Sequence, residues 1–180
     1  MNISKQIVGY LKSRGLVLAS LETCTSGHIA TMLADQPGAE SCLDVTLVAH
    51  TRAALARLPG IAMVSASLAD TQPGDAAQNA ALARALAEAL LGTRAGGAES
   101  AEGTDSAANV AFASVGWLSA DQDGRAAAHG LAWACRHRDG VSSASETVLF
   151  AGRGAEVKRS IARRALLGLP RFVDSLNFAR

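Results

Sequence analysis

Tyrosine, lysine and cysteine are scarce in this chain, and each scarcity closes off a chemistry. Of 180 residues one is tyrosine (Tyr10), three are lysine (Lys5, Lys12, Lys158) and three are cysteine. Cys24, Cys42 and Cys135 are an odd number with no CxxC pair, which argues against a disulfide framework or a zinc knuckle and leaves reduced thiols as the default. No His/Cys/Asp/Glu cluster has metal-ligand spacing, so neither a metal nor a cofactor is expected. Net charge is lacking too: 17 Lys+Arg stand against 16 Asp+Glu, so nothing drives the whole chain toward nucleic acid or an anionic membrane. Its apolar runs are broken well short of the ~20 residues that span a bilayer. The opening MNISKQIVGYLKSRG has helical spacing in place of an uninterrupted apolar core and cleavage site, so a cytoplasmic protein is expected.

What is present suits one compact domain over residues 1–180, since 49% of the chain is hydrophobic. Ile3, Ile7, Val8 and Leu11 recur at helical spacing before Gly15, and Leu16 to Leu21 is an apolar run of strand length. Glu22 to Ser26 is a polar turn, after which Ile29, Met32 and Leu33 share one helical face up to Pro37-Gly38. Leu43 to Ala49 predicts a strand, followed by a short helix capped by Thr51 and stopped at Pro59-Gly60. A long alanine-rich helix is expected from Asp75 to Leu91, and residues 92–107, polar and glycine-rich, predict a flexible insertion loop. Strands are expected at Asn109–Val115, Ala126–Cys135 and Glu146–Ala151, with turns at Asp121–Gly124 and Arg138–Gly140. Gly154 to Gly168 reads as an amphipathic helix, with Pro170 starting a separate terminal piece. Helices separate the early strands and short turns join the late ones, so the sheet is mixed and the fold class is α/β.

The turn at Glu22 to His28 carries the chemistry the sequence offers. A glycine-containing turn that enters a helix presents backbone N–H groups and the positive end of the helix dipole, which favour an anion or a developing oxyanion. Thr23, Cys24, Thr25 and Ser26 add hydrogen-bond donors and nucleophiles; the plain alternative is that Thr25 or Ser26 caps the helix. Cys24 reads either as a thiol of depressed pKa at a helix start or as a small buried hydrophobe. Trp117 and Trp133 are candidates for ring stacking or for core packing, and His129, His137 and Arg153 for phosphate contact or plain surface placement.

Leu21-Glu22-Thr23-Cys24-Thr25-Ser26-Gly27 resembles the Ala-Glu-Ser-Cys-Thr-Gly-Gly hallmark of the CinA C-terminal domain family, with Glu22, Cys24, Thr25 and Gly27 identical. The resemblance continues through Val45 to Gly60, Gly116-Trp117-Leu118-Ser119-Ala120, Ala128-His129-Gly130 and Phe150-Ala151-Gly152-Arg153-Gly154, where order and spacing persist while most polar residues change. It implies a three-layer α/β/α sandwich and a homo-oligomer. It also implies metal-free hydrolysis of the amide of nicotinamide mononucleotide by a serine nucleophile, with a lysine base and a neighbouring tyrosine. The serine position falls on Thr23, the tyrosine position on His50 and the lysine position on Leu55. Residues implied to line the nucleotide site are Glu22, Cys24, Thr25, Ser26, Gly27, Gly116 and Arg153.

The residue inventory bears on that reaction directly. With no Tyr or Lys anywhere near the second strand–helix junction, no shift of register restores the base, whose loss typically costs ~10²- to 10⁴-fold. His50 is a substitute base for Thr23 or Cys24, and Lys158 a second one if the last long helix brings it in. Three functions therefore compete: an altered amidohydrolase using Thr23, a domain that binds a nucleotide or small anion without turnover, and an assembly protein with a vestigial site.

Overall fold

A computed structural model describes residues 2–58, 61, 76–95, 108–117, 126–152 and 154–177. Asn2 opens the first helix, α1 (Ile3–Ser13), its side chain accepting from the N–H groups of Ser4 and Lys5, and Ile7, Val8 and Leu11 form the buried stripe the spacing predicted. Gly15, in the left-handed region at φ 62°, releases the chain from the helix into strand β1 (Leu18–Glu22). Helix α2 (His28–Ala34) and a 3-10 turn at Ala39–Ser41 lead to β2 (Leu43–Val48), and the Thr51 hydroxyl accepts from the Ala54 N–H at 3.0 Å to start α3 (Arg52–Leu55). Then follow α4 (Ala76–Ala95), β3 (Val110–Val115), β4 (Ala127–His137), β5 (Gly140–Phe150) and α5 (Gly154–Asn177).

The sheet order is β2-β1-β3-β4-β5, with β1 parallel to both neighbours and β3, β4 and β5 antiparallel in sequence. The α/β class and the mixed sheet are thus as the sequence predicts. The period-2 alternation of the strands separates two cores. Leu18, Val110, Phe112, Leu131 and Trp133 point to the side of α1, α2 and α5. Ala19, Leu21, Ala111, Ala113, Ala132 and Ala134 point to the side of α3 and α4. Alanines on the sheet let α4 approach closely, and at Gly130 a side-chain carbon would lie 2.1 Å from the Asn79 carbonyl oxygen.

Four expectations shift. Helix α4 runs on through Gly92 to Ala95, so residues 92–95 of the expected loop are helical, while 96–107 lie outside the described residues, as do Pro59-Gly60 and the turn at Asp121–Gly124. Strand β4 continues to His137 and β5 begins at Gly140, six residues before the expected Glu146, because full pairing with β4 from His137↔Gly140 to Ala127↔Phe150 holds a serine-rich segment with little apolar alternation. Pro170 lies inside one continuous α5 instead of starting a new piece. A mid-helix proline costs about 3 kcal/mol, and burial of Leu166, Leu169, Phe172 and Val173 around it offsets that cost.

Candidate functional site

Strand parity assembles the site. Counting by twos from Leu18 brings Glu22 to the α2–α5 face of β1, from Val110 brings Ser114 to the same face of β3, and from Leu131 back brings His129 to the same face of β4. All three sit where β1 and β3 end and β4 begins, the carboxyl edge at which open α/β sheets place their ligands. Val115 pairs with Gly130, so the next residue, Gly116, lies against the His129 ring: a side-chain carbon there would be 2.2 Å from Nδ1.

Glu22 is completely buried, and its carboxylate accepts the N–H groups of Ile29 at 3.2 Å and Ala30 at 2.9 Å. The helix start that the sequence offers to an outside anion already receives an internal one. Glu22 therefore ties the end of β1 to the first turn of α2, a charge-assisted cap supplied from a neighbouring strand. The turn between them passes through two left-handed residues, Ser26 at φ 57° and Gly27 at φ 81°. For a serine this conformation costs roughly 1–2 kcal/mol, and the resemblance places a glycine there.

Thr23 is also fully buried. Its hydroxyl donates to the Gly116 carbonyl at 2.7 Å and accepts the Gly116 N–H at 3.0 Å, and its own N–H donates to the Ser114 carbonyl. The hydroxyl acts as an extra rung between the ends of β1 and β3, with its one proton committed. Giving up that proton to a base would break the bond to the Gly116 carbonyl.

One residue further, the Cys24 thiol is half-buried, with Sγ 3.6 Å from His129 Nδ1, and His129 Nε2 lies 2.8 Å from the Ser114 hydroxyl. With the ring proton on Nε2, His129 donates to Ser114 and leaves Nδ1 free to accept from the thiol. Burial pushes the Cys24 thiol up to about 11 against the lowering influence of Lys158, and burial pulls His129 down to about 4. At neutral pH the pair rests uncharged. His129 is 2% exposed, so the surface placement expected for it is corrected; the signal was its parity with Leu131 and Trp133 on the buried face of β4.

The remaining candidates divide. Lys158, on α5, donates through Nζ to the Ser26 hydroxyl at 3.4 Å, so the last helix does bring its lysine to the turn. Thr25 is 1% exposed, and its hydroxyl has no hydrogen-bond partner among the described residues. His50 is exposed after the end of β2, and among the described residues no hydrogen bond joins it to Thr23 or Cys24. Leu55 is buried in the α3–α4 core. Tyr10 is engaged elsewhere, donating to Asp174 near the end of α5. Trp133 packs in the core with its N–H on the Ala165 carbonyl, and Trp117 lies under the Arg52 guanidinium at 4.2 Å. Arg153 and Leu118–Ala120 lie outside the described residues. Among the described residues no group of His, Cys, Asp and Glu is arranged to hold a metal, and no helix is long and apolar enough to cross a membrane.

The family model of the CinA C-terminal domain matches residues 1–173. The chain belongs to that family. A CinA-like protein from Anaeromyxobacter dehalogenans is 38% identical over 94 residues, 51% of this chain and 21% of that relative. A CinA-like protein from Chlorobium luteolum is 36% identical over 85 residues, 47% of this chain and 19% of that one. The chain thus matches about a fifth of the length of these curated relatives. In three dimensions it is similar to a CinA superfamily protein from Klebsiella pneumoniae (TM-score 0.65, 19% identity, 92% of both chains). It is also similar to the competence/damage inducible protein CihA from Agrobacterium tumefaciens (TM-score 0.64, 21% identity, 97% of this chain and 93% of that one). At such identities the likeness is one of fold. Within the CinA fold, this chain brings together Cys24, His129, Ser114, Ser26 and Lys158 at the hallmark turn, and leaves the residue 55 position in the core.

Proposed function

We propose that this chain is an altered CinA-type amidohydrolase in which the nucleophile is the Cys24 thiol in place of a hydroxyl at residue 23, acting on the amide of a small nucleotide such as nicotinamide mononucleotide. The observation that carries this reading is the division of labour at the turn: the Thr23 hydroxyl is spent on Gly116, whereas the Cys24 thiol faces a histidine oriented by Ser114. In the reaction, Sγ bonds to the amide carbon as its proton passes to His129 Nδ1. Collapse breaks the C–N bond, the departing nitrogen takes that proton and leaves as ammonia, and water then cleaves the thioester to the acid and restores the thiol. An uncharged resting pair with the thiol near 11 makes this a slow enzyme at neutral pH.

Ammonia release from nicotinamide mononucleotide tests the reading. Cys24→Ala brings the rate to background, His129→Asn lowers it by roughly 10²- to 10⁴-fold, and Thr23→Ser, which restores the family residue, leaves it within a few-fold. A large gain in Thr23→Ser with no loss in Cys24→Ala would sink the thiol route. A second reading, a domain that binds the nucleotide without turning it over, is supported by the same uncharged pair. Calorimetric heat on titration with the mononucleotide, with no ammonia from the unsubstituted protein, selects it.

A further inference from the structure

The cation at the turn has no part in the bond-breaking steps above. Of the basic residues along α5, Arg159 and Arg163 are exposed, and Arg164 makes two 2.7 Å bonds to Glu146 on β5. Lys158 differs. It is half-buried and turned to the hallmark turn, where its ammonium donates to the Ser26 hydroxyl, which in turn donates to the Cys24 carbonyl at 3.3 Å. The nearby carboxylate, Glu22, is fully buried and committed to the N–H groups of Ile29 and Ala30. The Thr25 hydroxyl in the same turn is buried and has no hydrogen-bond partner among the described residues. The positive charge of Lys158 is felt at Cys24, where it opposes the effect of burial.

We infer that Lys158, held in place by Ser26, makes the Cys24 site selective for electrophiles that carry a negative charge. The inference deepens the Cys24 reading by naming its substrate class, and Lys158 is a specificity-determining residue in it. A cation at the same turn as the reacting sulfur lowers the energy of an incoming anion and does nothing for a neutral reagent of the same size.

Alkylation of Cys24 by iodoacetate and by iodoacetamide, read peptide by peptide with mass spectrometry, separates charge from reactivity. The two reagents attack the same thiolate with loss of iodide, so any change in the thiol's pKa cancels in the ratio of their rates. The unsubstituted protein should favour iodoacetate over iodoacetamide by roughly three- to tenfold more than a free thiol does, and the preference should shrink at high ionic strength. Lys158→Met brings the ratio to that of a free thiol and Lys158→Arg retains it; thermal melts establish that both variants are folded. Equal ratios in the unsubstituted protein and Lys158→Met overturn the inference, as does failure of both reagents to reach Cys24. Because alkylation requires no amide turnover, absence of ammonia release would defeat the hydrolytic reading and leave this result standing.

Discussion

His129 stands two residues before Leu131 on the face of β4 that enters the core, where burial holds it neutral down to about pH 4. In the unfolded chain its pKa returns to about 6.5. Between these values the unfolded state binds more protons, so stability rises with pH across the window. The contribution is fully present above about pH 6.5 and is lost as pH falls toward 4, a change of about 3 kcal/mol in all. Urea midpoints measured at about pH 5 and about pH 7.5 should therefore differ, and the difference should narrow in His129→Gln. Identical pH dependence in both proteins would assign the effect to another group. At this scale the sequence reading expected His50 as the partner of Thr23 or Cys24, and the histidine that lies beside the thiol is His129. A Cys/His pair was legible, but His50 was placed by nearness in the chain, whereas His129, 105 residues from Cys24, reaches it through the β3–β4 register.

Among the elements, α5 is the one whose surroundings override its local sequence most clearly. Gly168 sits over the Trp133 ring, and a side-chain carbon there would lie 2.0 Å from it, so the helix closes on the sheet only without one. Gly168→Ala gains up to about 1 kcal/mol in helix propensity and forces Trp133 away from its bond to the Ala165 carbonyl. The overlap wins, and a net loss of roughly 1–3 kcal/mol is expected in chemical denaturation. A more stable Gly168→Ala protein would mean that Trp133 has room to move. Helix α2 has the opposite history: its periodicity was readable, but the residue that caps it, Glu22, lies on the preceding strand and was read as lining a ligand site.

For the molecule as a whole, two cores share one sheet. Leu86 lies in the core under α4 and Leu166 in the core under α5, both essentially unexposed. Truncating either to alanine should cost ~2–5 kcal/mol, and the double variant should lose close to the sum because the sites lie on opposite faces of the sheet. Tryptophan fluorescence and far-ultraviolet circular dichroism should still report one coincident transition. Separate transitions would show that the faces unfold independently. The starts of α1 and α3 and the hallmark at Glu22 to Gly27 were set locally, by caps and glycine turns, and those the sequence determined by itself. Which polar groups of the turn are tied into the fold was decided only by tertiary structure. Thr23 and Glu22 are saturated by backbone groups from other segments, Cys24 meets His129 across the sheet, and Lys158 arrives from the last helix. Hydrogen-bond satisfaction in a buried turn depends on partners distant in the chain, and no local pattern encodes them.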